Sequence, residues 1–338
     1  MASVFLEHPS SLAHDTGGHP EQAARVEAIQ RELDHRNWLG YERVRSPAVD
    51  REVLTAVHPE SYVESIEAIS SSGGGALDLD TVASAGSFEA ALHAAGGAVR
   101  MVELLLADGT EGAFSAHRPP GHHAIPTRAM GFCLFNNVAV AARFAIDHRG
   151  LDRVMVVDWD VHHGNGTNDI FRRSREVLFV SIHQWPLYPG SGSSAYVGDG
   201  DGEGFTVNLP VAPGTGDSDY CSLVDGVVVP LAREYRPQLV LISAGFDAHR
   251  DDPLADCMLT EEGFAAMTHS IRDVSDSVGA PVGCVLEGGY ALGALGRSVA
   301  ATMEALVEPD GAAAHEPAGP LVEEARARLS KWWPSLVA

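Results

Sequence analysis

The chain has few cysteines, few basic residues and no long apolar run, and each shortage excludes a class of protein. Its 338 residues include four cysteines without any C-x-x-C pair: Cys133, Cys221, Cys257 and Cys284. This spacing argues against a disulfide framework and a thiolate zinc knuckle, so we expect reduced, packed thiols. The N-terminus has no basic stretch followed by an apolar one, and no run of about 18 apolar residues occurs. We therefore expect a cytoplasmic protein that does not enter a membrane.

Acidic residues outnumber basic residues by 46 to 23, which gives a formal net charge of −23. Such a surface repels nucleic acid and anionic membranes, and it attracts cationic partners such as Lys-rich peptides or polyamines. An equally good interpretation is that the acidity only keeps the protein in solution. The hydrophobic fraction of 45% and the charged fraction of 20% are ordinary for a globular chain.

No low-complexity linker separates the motifs described below, so we expect one domain over residues 1–338. Segment 310–320 is rich in Ala, Gly, Pro and Glu and is expected to be loose. We expect it to lead to a short last helix carrying Trp332 and Trp333, in a tail from about residue 308 that packs back on the body. The sequence leaves the oligomeric state open.

Strand-like and helical patterns alternate along the chain. Short, uncharged, β-branched runs predict strands at 113–115, 154–157, 239–242 and 282–286. Apolar residues at helical spacing predict helices at 20–36, 87–107, 137–148, 217–235, 260–278 and 290–307, with Thr260 as an N-cap. This alternation predicts a mostly parallel sheet covered by helices on both faces.

Each of the four predicted strands is followed by residues that can bind a metal or transfer a proton. They are His122 and His123, Asp158 to His162, Asp247, and Gly288 to Tyr290. Ligands of parallel sheets gather at the carboxyl ends of the strands, so these residues predict one hydrolytic metal centre. A single pair of this kind is more often surface charge or a core histidine, whereas several such pairs at consecutive strand ends indicate a site.

Asp158, Asp160 and His162 alternate, so on an extended backbone their side chains leave one face about 6.5 to 7 Å apart. Two neighbours can then chelate one ion while the third orients a nearby group. Asp247, from a strand that can lie alongside, completes an Asp, His, Asp set with a position left open, as catalytic zinc requires. Two carboxylates leave the ion a mild Lewis acid, so an auxiliary base and an electrophile are needed.

The base and the electrophile come from the other two motifs. A rigid turn at 118–121 presents His122 and His123, of which one can act as a general base and the other can carry positive charge. Gly288 and Gly289 give the backbone freedom to turn Tyr290 inward, where its phenol can donate a hydrogen bond to a developing oxyanion.

These motifs resemble the histone deacetylase family over nearly the whole chain. They read RPPGHHA at 118–124, GFC at 131–133, VDWDVHHGNGT at 157–167, SAGFD at 243–247 and LEGGY at 286–290. The resemblance implies an arginase/deacetylase-like three-layer α/β fold with a central eight-stranded sheet, one Zn²⁺, and hydrolysis of an acyl-amide. It makes Asp160, His162 and Asp247 the zinc ligands, His123 the general base and acid, His122 its electrostatic partner, and Tyr290 the carbonyl polariser.

The resemblance also implies a structural potassium ion. Asp158 would support His122 and bind K⁺ together with the carbonyls of Asp160, His162 and Ile182 and the hydroxyl of Ser181. Asn165 and the LEGGY ending are similar to class II members and bacterial relatives, since class I members have Asp in place of Asn165. A neutral Asn stabilises an imidazolium less than a carboxylate does, so His123 should be more readily neutral.

For the substrate, the resemblance makes Gly131, Phe132 and Gly289 part of an acyl-lysine tunnel. The loop expected to supply the second wall departs from the eukaryotic pattern, and Trp185, Leu187 and Tyr188 all remain candidates. Leu254 stands where relatives specialised for acetylpolyamines have a Glu gatekeeper. An apolar residue there favours a neutral acyl-lysine stem.

The leading hypothesis is therefore a deacylase acting on acyl-lysine in proteins or on a small acylated amine. Acetylpolyamine deacetylation is an alternative, favoured by the acidic charge and opposed by Leu254. A non-catalytic sensor of acylated ligands would not need the His pair and Tyr290. A binuclear manganese ureohydrolase would need two carboxylates where the segment 243–247 offers only Asp247.

Overall fold

The computed structural model describes residues 2–107, 110–308 and 319–337. The strands in these ranges are β1 (Ala2–Glu7), β2 (Glu42–Arg45), β3 (Gly74–Ala76), β4 (Val82–Ser84), β5 (Thr110–Ser115), β6 (Val154–Asp158), β7 (Val177–Gln184), β8 (Thr206–Val211), β9 (Leu239–Ala244) and β10 (Val282–Leu286). The α-helices are α1 (Ser10–Ala13), α2 (Ala24–His35), α3 (Arg51–Thr55), α4 (Glu60–Ser71), α5 (Ser87–Leu106), α6 (Asn137–Arg149), α7 (Asn165–Phe171), α8 (Asp217–Leu223), α9 (Val229–Tyr235), α10 (Glu261–Val278), α11 (Leu292–Val307) and α12 (Pro320–Leu329).

Eight strands form one sheet in the order β2-β1-β5-β10-β9-β6-β7-β8, and every neighbouring pair is parallel. The short strands β3 and β4 form a separate antiparallel hairpin. The four strands predicted from the sequence, β5, β10, β9 and β6, are consecutive in the sheet. Their carboxyl ends therefore meet at one edge, which brings the four motifs together.

The sheet has a helix layer and an apolar core on each face. In β6, Met155 and Val157 belong to the core shared with α2 and α8 to α12, whereas Val154 and Val156 belong to the core shared with α3 to α6. This alternation is what a strand covered on both faces requires, because successive side chains point to opposite sides. The predicted three-layer α/β fold with a central eight-stranded sheet is confirmed.

Two predicted helices begin later in the structure than expected, and a third is interrupted. The first begins at Ala24 and not near residue 20, and the last predicted helix begins at Leu292 because the N–H groups of Tyr290 and Ala291 donate to Asp252. The helix predicted over 217–235 is interrupted by a π-helical segment, Val224–Val228. Pro230 cannot donate to the carbonyl of Gly226, which accepts a hydrogen bond from Arg326 Nε at 2.8 Å instead.

The C-terminal helix and the residues after it pack against the body. Most of the segment predicted to be loose lies outside the described residues. The expectation that the last helix carries Trp332 and Trp333 is wrong, because α12 ends at Leu329. Trp333 is nevertheless buried, and its Nε1 donates to the carbonyl of Gly204 at 2.7 Å.

The described residues bear on two expectations, one about membrane-spanning helices and one about the cysteines. Within the described ranges, helices that are both long and apolar enough to span a bilayer are not found. The four cysteines are free and buried, as expected for packed thiols.

Candidate active site

Asp158, Asp160 and His162 follow β6 through a sequence of tight turns. The Asp158 Oδ1 atom accepts a hydrogen bond from the N–H of Asp160 at 3.1 Å, and Asp160 Oδ1 accepts one from the N–H of His162 at 2.9 Å. The expectation of an extended backbone here is therefore wrong, because each carboxylate bonds to the N–H two residues ahead. The turns direct Asp160 and His162 to one point and leave Asp158 beside His122.

Asp160, His162 and Asp247 form a buried group whose ligand atoms lie within 4.8 Å of one another. The His162 Nδ1 atom lies 3.2 Å from Asp160 Oδ1 and 3.2 Å from Asp247 Oδ2. Burial lowers the pKa of His162 and the two carboxylates raise it, to about 10 overall. The group therefore favours positive charge at the point where its three side chains meet.

The second oxygen of each carboxylate is held by the backbone. Gly288 N–H donates to Asp160 Oδ2 at 2.8 Å, and Val161 N–H donates to Asp247 Oδ1 at 2.9 Å. A Cβ atom on Gly288 would lie 2.1 Å from Asp247 Oδ2, so only glycine permits this approach. The LEGGY motif thus holds the Asp160 carboxylate and leaves space for that of Asp247, a function that the sequence does not reveal.

The rings of His122 and His123 are tilted by 45° with centroids 4.0 Å apart, and their hydrogen-bond partners differ in charge. His122 Nδ1 donates to Asp158 Oδ2 at 3.0 Å, and His123 Nδ1 donates to Asn165 Oδ1 at 2.7 Å. Burial opposes the charged form of both rings. Asp160 and Asp158 nevertheless raise the pKa of His122 well above its usual value, whereas burial and the nearby His122 and His162 lower that of His123 far below it. The pair therefore consists of a cationic ring beside a neutral one.

Glu287 connects the His pair to the end of β10. Its Oε2 atom accepts hydrogen bonds from the N–H groups of Gly121, at 2.7 Å, and His122, at 3.0 Å. Burial raises the pKa of this carboxyl to about 7, against the opposing charge of His122. The sequence places Glu287 inside a motif but gives no sign of this contact, which crosses between neighbouring strand ends.

Tyr290 is held from two sides. Asp252 Oδ2 accepts the Tyr290 N–H at 2.7 Å, and Arg25 Nε donates to the carbonyl of Gly289 at 2.7 Å, with its guanidinium carbon 4.9 Å from the Tyr290 ring centroid. Burial raises the pKa of the Tyr290 phenol well above its usual value, although Arg25 opposes the shift. The hydroxyl thus remains a hydrogen-bond donor.

Arg25 belongs to a buried ion-pair network that the sequence-based assignments missed. Glu21 lies between Arg25 and Arg118: Arg25 Nη1 is 3.2 Å from Glu21 Oε1, and Arg118 Nη2 donates to Glu21 Oε2 at 2.7 Å. The other side of Arg118 donates to the carbonyl of Ser11 at 2.6 Å. The network fixes α2 against the turn before His122. Arg118 belongs to the RPPGHHA motif, whereas Glu21 and Arg25 lie far from that motif in the chain.

A cavity of about 200 Å³, here named the tunnel, leads from the surface to this site. Its lining is Asp80, His123, Gly131, Phe132, His162, Leu187, Tyr188, Leu254 and Tyr290. The Phe132 ring is 5.8 Å from that of Tyr290, and the Tyr188 ring is 5.2 Å from that of His123. Of the three candidates for the second wall, Leu187 and Tyr188 line the tunnel, and Asp80, from the β3–β4 hairpin, was not anticipated.

Two predicted substrate residues do not line the tunnel. Gly289 has a φ of +122°, which a side chain rarely adopts, and its carbonyl is bound to Arg25 as described above. Trp185 lines a separate cavity of about 590 Å³, the side groove, which lies between the loop after the His pair and the loop at 185–196.

Among the residues implied for potassium, Asp158 accepts the hydrogen bond from His122. Asp158 and Ser181 are paired across β6 and β7, Ile182 follows Ser181 in β7, and all three are fully buried. The Ser181 hydroxyl lies 3.0 Å from His183 Nδ1. Burial raises the pKa of Asp158 to about 6, with His122 opposing the shift.

Comparisons with known proteins agree on one family. The model for the histone deacetylase domain matches residues 19–306. A probable deacetylase from Archaeoglobus fulgidus is 38% identical over 96% of this chain and 91% of its own length. A histone deacetylase-like amidohydrolase from Pseudomonas aeruginosa is 41% identical over 85% of this chain and 75% of its own length. The crystal structure of the HDA15 HD domain matches with a TM-score of 0.92 at 34% identity, covering 99% of this chain and 96% of that one.

Proposed function

The chain belongs to the histone deacetylase family and is a hydrolytic enzyme, and from this premise we propose that it uses Zn²⁺ to remove acetyl or other acyl groups from the ε-amine of lysine in proteins or from a related small amide. One observation carries the proposal. The buried Asp160, His162 and Asp247 group lies at the end of the same tunnel that a neutral histidine and a protonated tyrosine line.

Zn²⁺ fits the donor atoms of this group. Nitrogen and oxygen ligands suit the ion, and three protein ligands are the number found in catalytic zinc sites, which keep a fourth position for water or substrate. Asp160 Oδ1 and Asp247 Oδ2 both face His162 Nδ1, while their other oxygens are bound by backbone N–H groups. When bound there, Zn²⁺ supplies a Lewis acid that polarises the amide carbonyl and favours ionisation of the attacking water.

His123 moves the proton. Its Nδ1 donates to Asn165 Oδ1, so the neutral ring offers its Nε2 lone pair to the tunnel. As the oxygen of water bonds to the carbonyl carbon, Nε2 takes the proton from that water. When the C–N bond breaks, the same nitrogen returns the proton to the departing amine, which leaves a carboxylic acid and a free amine.

Tyr290 and His122 stabilise the negative charge that develops on the carbonyl oxygen. The Tyr290 phenol donates a hydrogen bond to it, and the two contacts to Asp252 and Arg25 restrict the movement of the backbone that carries the ring. The cationic His122 adds positive charge behind His123. Oriented donors of this kind act mainly in the transition state.

We infer a structural K⁺ beside the catalytic pair. Asp158, the carbonyls of Asp160, His162 and Ile182, and the Ser181 hydroxyl are hard oxygen ligands, and the carboxylate is fully buried. A buried carboxylate needs compensating positive charge, which His122 supplies from one side only. The bound cation would keep Asp158 ionised and would thereby preserve the orientation of His122.

The tunnel lining supports a neutral stem in the substrate. Phe132, Leu187, Tyr188 and Leu254 provide apolar walls that fit the methylene chain of acyl-lysine. The enzyme is predicted to act in the cytoplasm, which agrees with four buried thiols free of disulfide bonds.

Acetylpolyamines are the second candidate substrate, and Asp80 is the observation that favours them. Its carboxylate lines the tunnel and can meet a distal ammonium group. Leu254, in the same lining, offers such a group no partner. The acyl-lysine proposal therefore remains the better supported of the two.

The proposed function is tested by measuring acid release from a panel of substrates with the zinc content of the same preparation. The panel contains an acetyl-lysine peptide, longer acyl-lysine peptides and acetylated polyamines. We expect kcat/KM to be highest for one of the acyl-lysine peptides and one zinc ion per chain. If kcat/KM were higher for every acetylated polyamine than for any acyl-lysine peptide, acetylpolyamines would be the substrate. Turnover without bound metal would contradict the zinc assignment.

A further inference from the structure

The side groove and the tunnel are separate cavities that adjoin at two loops. Met130 lines the groove and the next residue, Gly131, lines the tunnel. On the opposite loop, Tyr188 lines the tunnel and the next residue, Pro189, lines the groove. Residues that flank an acyl-lysine in the tunnel would therefore be within reach of this groove.

Arg128 gives the groove a positive charge. It is exposed, and within the described parts of the chain its guanidinium forms no ion pair at hydrogen-bonding distance; its Nη2 contacts Met130 Sδ at 3.4 Å. Asp169 is the acidic residue of the groove, and it lies 3.4 Å from Arg172 Nη1. Arg172 Nε also lies 3.7 Å from Asp199 Oδ2, so Asp169 shares its basic partner with a second carboxylate, and Arg128 is the charged lining residue available to a ligand.

The remaining walls are largely apolar or aromatic. Trp185 is 38% exposed, although a tryptophan is a costly residue to leave in water, and Met130 and Tyr196 complete the wall. The groove is also close to the catalytic pair, since Asn165 Nδ2 contacts Met130 Sδ at 3.5 Å and Asn165 binds His123. Asp80 lines the tunnel and is not among the residues that line the groove.

We propose that the side groove binds the residues that flank the acyl-lysine of a peptide or protein substrate, and that Arg128 selects an acidic side chain among them. This inference rests on the proposed function and narrows its substrate class. A polyamine lacks such a group, and its ammonium groups are repelled by Arg128. The pairing takes place at an exposed site, so its effect is moderate and is weakened by salt.

The test uses isomeric acetyl-lysine peptides, so that the repulsion from the whole acidic surface cancels. One carries Glu two residues before the acetyl-lysine and Gln two residues after it, and the other has the two exchanged. A Gln/Gln peptide is the neutral reference. At low ionic strength we expect wild-type kcat/KM to differ between the isomers by about 3- to 10-fold, with the better one at least equal to the reference.

Two variants assign the difference to Arg128. Arg128→Gln should bring the ratio of the isomers close to 1, and Arg128→Glu should invert it. Arg233→Gln, an exposed residue of α9, removes the same charge far from the groove and should keep the wild-type ratio.

The outcomes separate the two proposals. Equal kcat/KM values for both isomers in wild type, or a ratio that Arg128→Glu leaves unchanged, would overturn the role of the groove while acyl-lysine turnover upholds the proposed function. Failure to hydrolyse any acyl-lysine peptide, with polyamines turned over, would instead reject both.

Discussion

At the scale of single residues, the two oxygens of each carboxylate ligand, Asp160 and Asp247, have different partners. Asp160 Oδ2 and Asp247 Oδ1 each accept a backbone N–H, and the other oxygen of each lies 3.2 Å from His162 Nδ1. In Asp160 that second oxygen also accepts the N–H of His162. His122 and His123 are held in a similar way, because Nδ1 of each ring is bound to a side chain, Asp158 or Asn165. Orientation is thus fixed before any ion or substrate is bound, which favours the transition state.

Tyr290→Phe removes one hydroxyl and almost no volume. We expect kcat to fall by about 10² to 10³, the range for loss of one oxyanion donor, and KM to change little because the bond strengthens mainly in the transition state. Steady-state kinetics on an acetyl-lysine peptide, with zinc content as the control, provide the measurement. The variant should lose much less activity on a trifluoroacetyl-lysine peptide, whose carbonyl needs less polarisation. Turnover of ordinary acetyl-lysine at the wild-type rate would exclude this role for the phenol.

Leu254→Glu tests the substrate preference. A carboxylate in the tunnel lining can pair with the distal ammonium of an acetylpolyamine, an effect of about 1 to 3 kcal/mol where water is partly excluded. We expect the ratio of kcat/KM for acetylpolyamine to that for acetyl-lysine peptide to rise by at least about 5-fold. Leu254→Gln is the matched control without charge. An unchanged ratio would show that this position does not set the preference.

The sequence predicts residues that carry chemistry better than residues that hold them. Asp160, His162 and Asp247 stand next to strand-like runs, so their meeting could be predicted from topology. Glu287, Arg25 and Asp252 act through contacts between segments far apart in the chain, and a single sequence holds no signal for them. Asp80 and Leu187 belong to loops whose path is decided by tertiary packing.

At the scale of elements, the four predicted strands form the middle of the sheet, whereas β7 and β8, although also buried, were not predicted. The four central strands and α5, α6 and α10 follow their expected positions within a few residues, and Thr260 is the N-cap whose side chain accepts the N–H of Gly263. The edge strand β2 is mostly exposed and rich in charge, so its apolar signal is weak. An observed helix end differs from the predicted one where a side chain such as that of Asp252 accepts the backbone N–H groups.

The C-terminal elements give a stability prediction. Trp333 packs against Phe205 and Tyr235 with ring centroids 5.3 and 6.1 Å away, so Trp333→Ala leaves a cavity in the core. We expect the free energy of unfolding to fall by about 3 to 5 kcal/mol, measured by denaturant titration. Trp332→Ala, at a half-buried position, should cost clearly less. Equal losses in the two variants would contradict the packing described for this tail.

At the scale of the whole molecule, the charge of −23 surrounds a tunnel whose walls are mainly apolar. Long-range attraction should accelerate the capture of cationic substrates, and salt should weaken it. We expect kcat/KM for an acetyl-lysine peptide with several lysines to fall several-fold between about 10 and 200 mM NaCl. A neutral peptide of equal length should change much less. Identical salt dependence of the two peptides would show that the net charge does not steer the substrate.

The central claim is that Asp160, His162 and Asp247 hold one catalytic zinc ion. Measurement of zinc per chain and of acetate release in Asp247→Ala tests it most directly, since this change removes one of three protein ligands. The control Asp251→Ala removes an exposed carboxylate four residues away and should retain both zinc and activity. We predict that Asp247→Ala loses zinc and activity together while remaining folded by circular dichroism. Full zinc occupancy in this variant, or wild-type acetate release without zinc, would contradict the assignment.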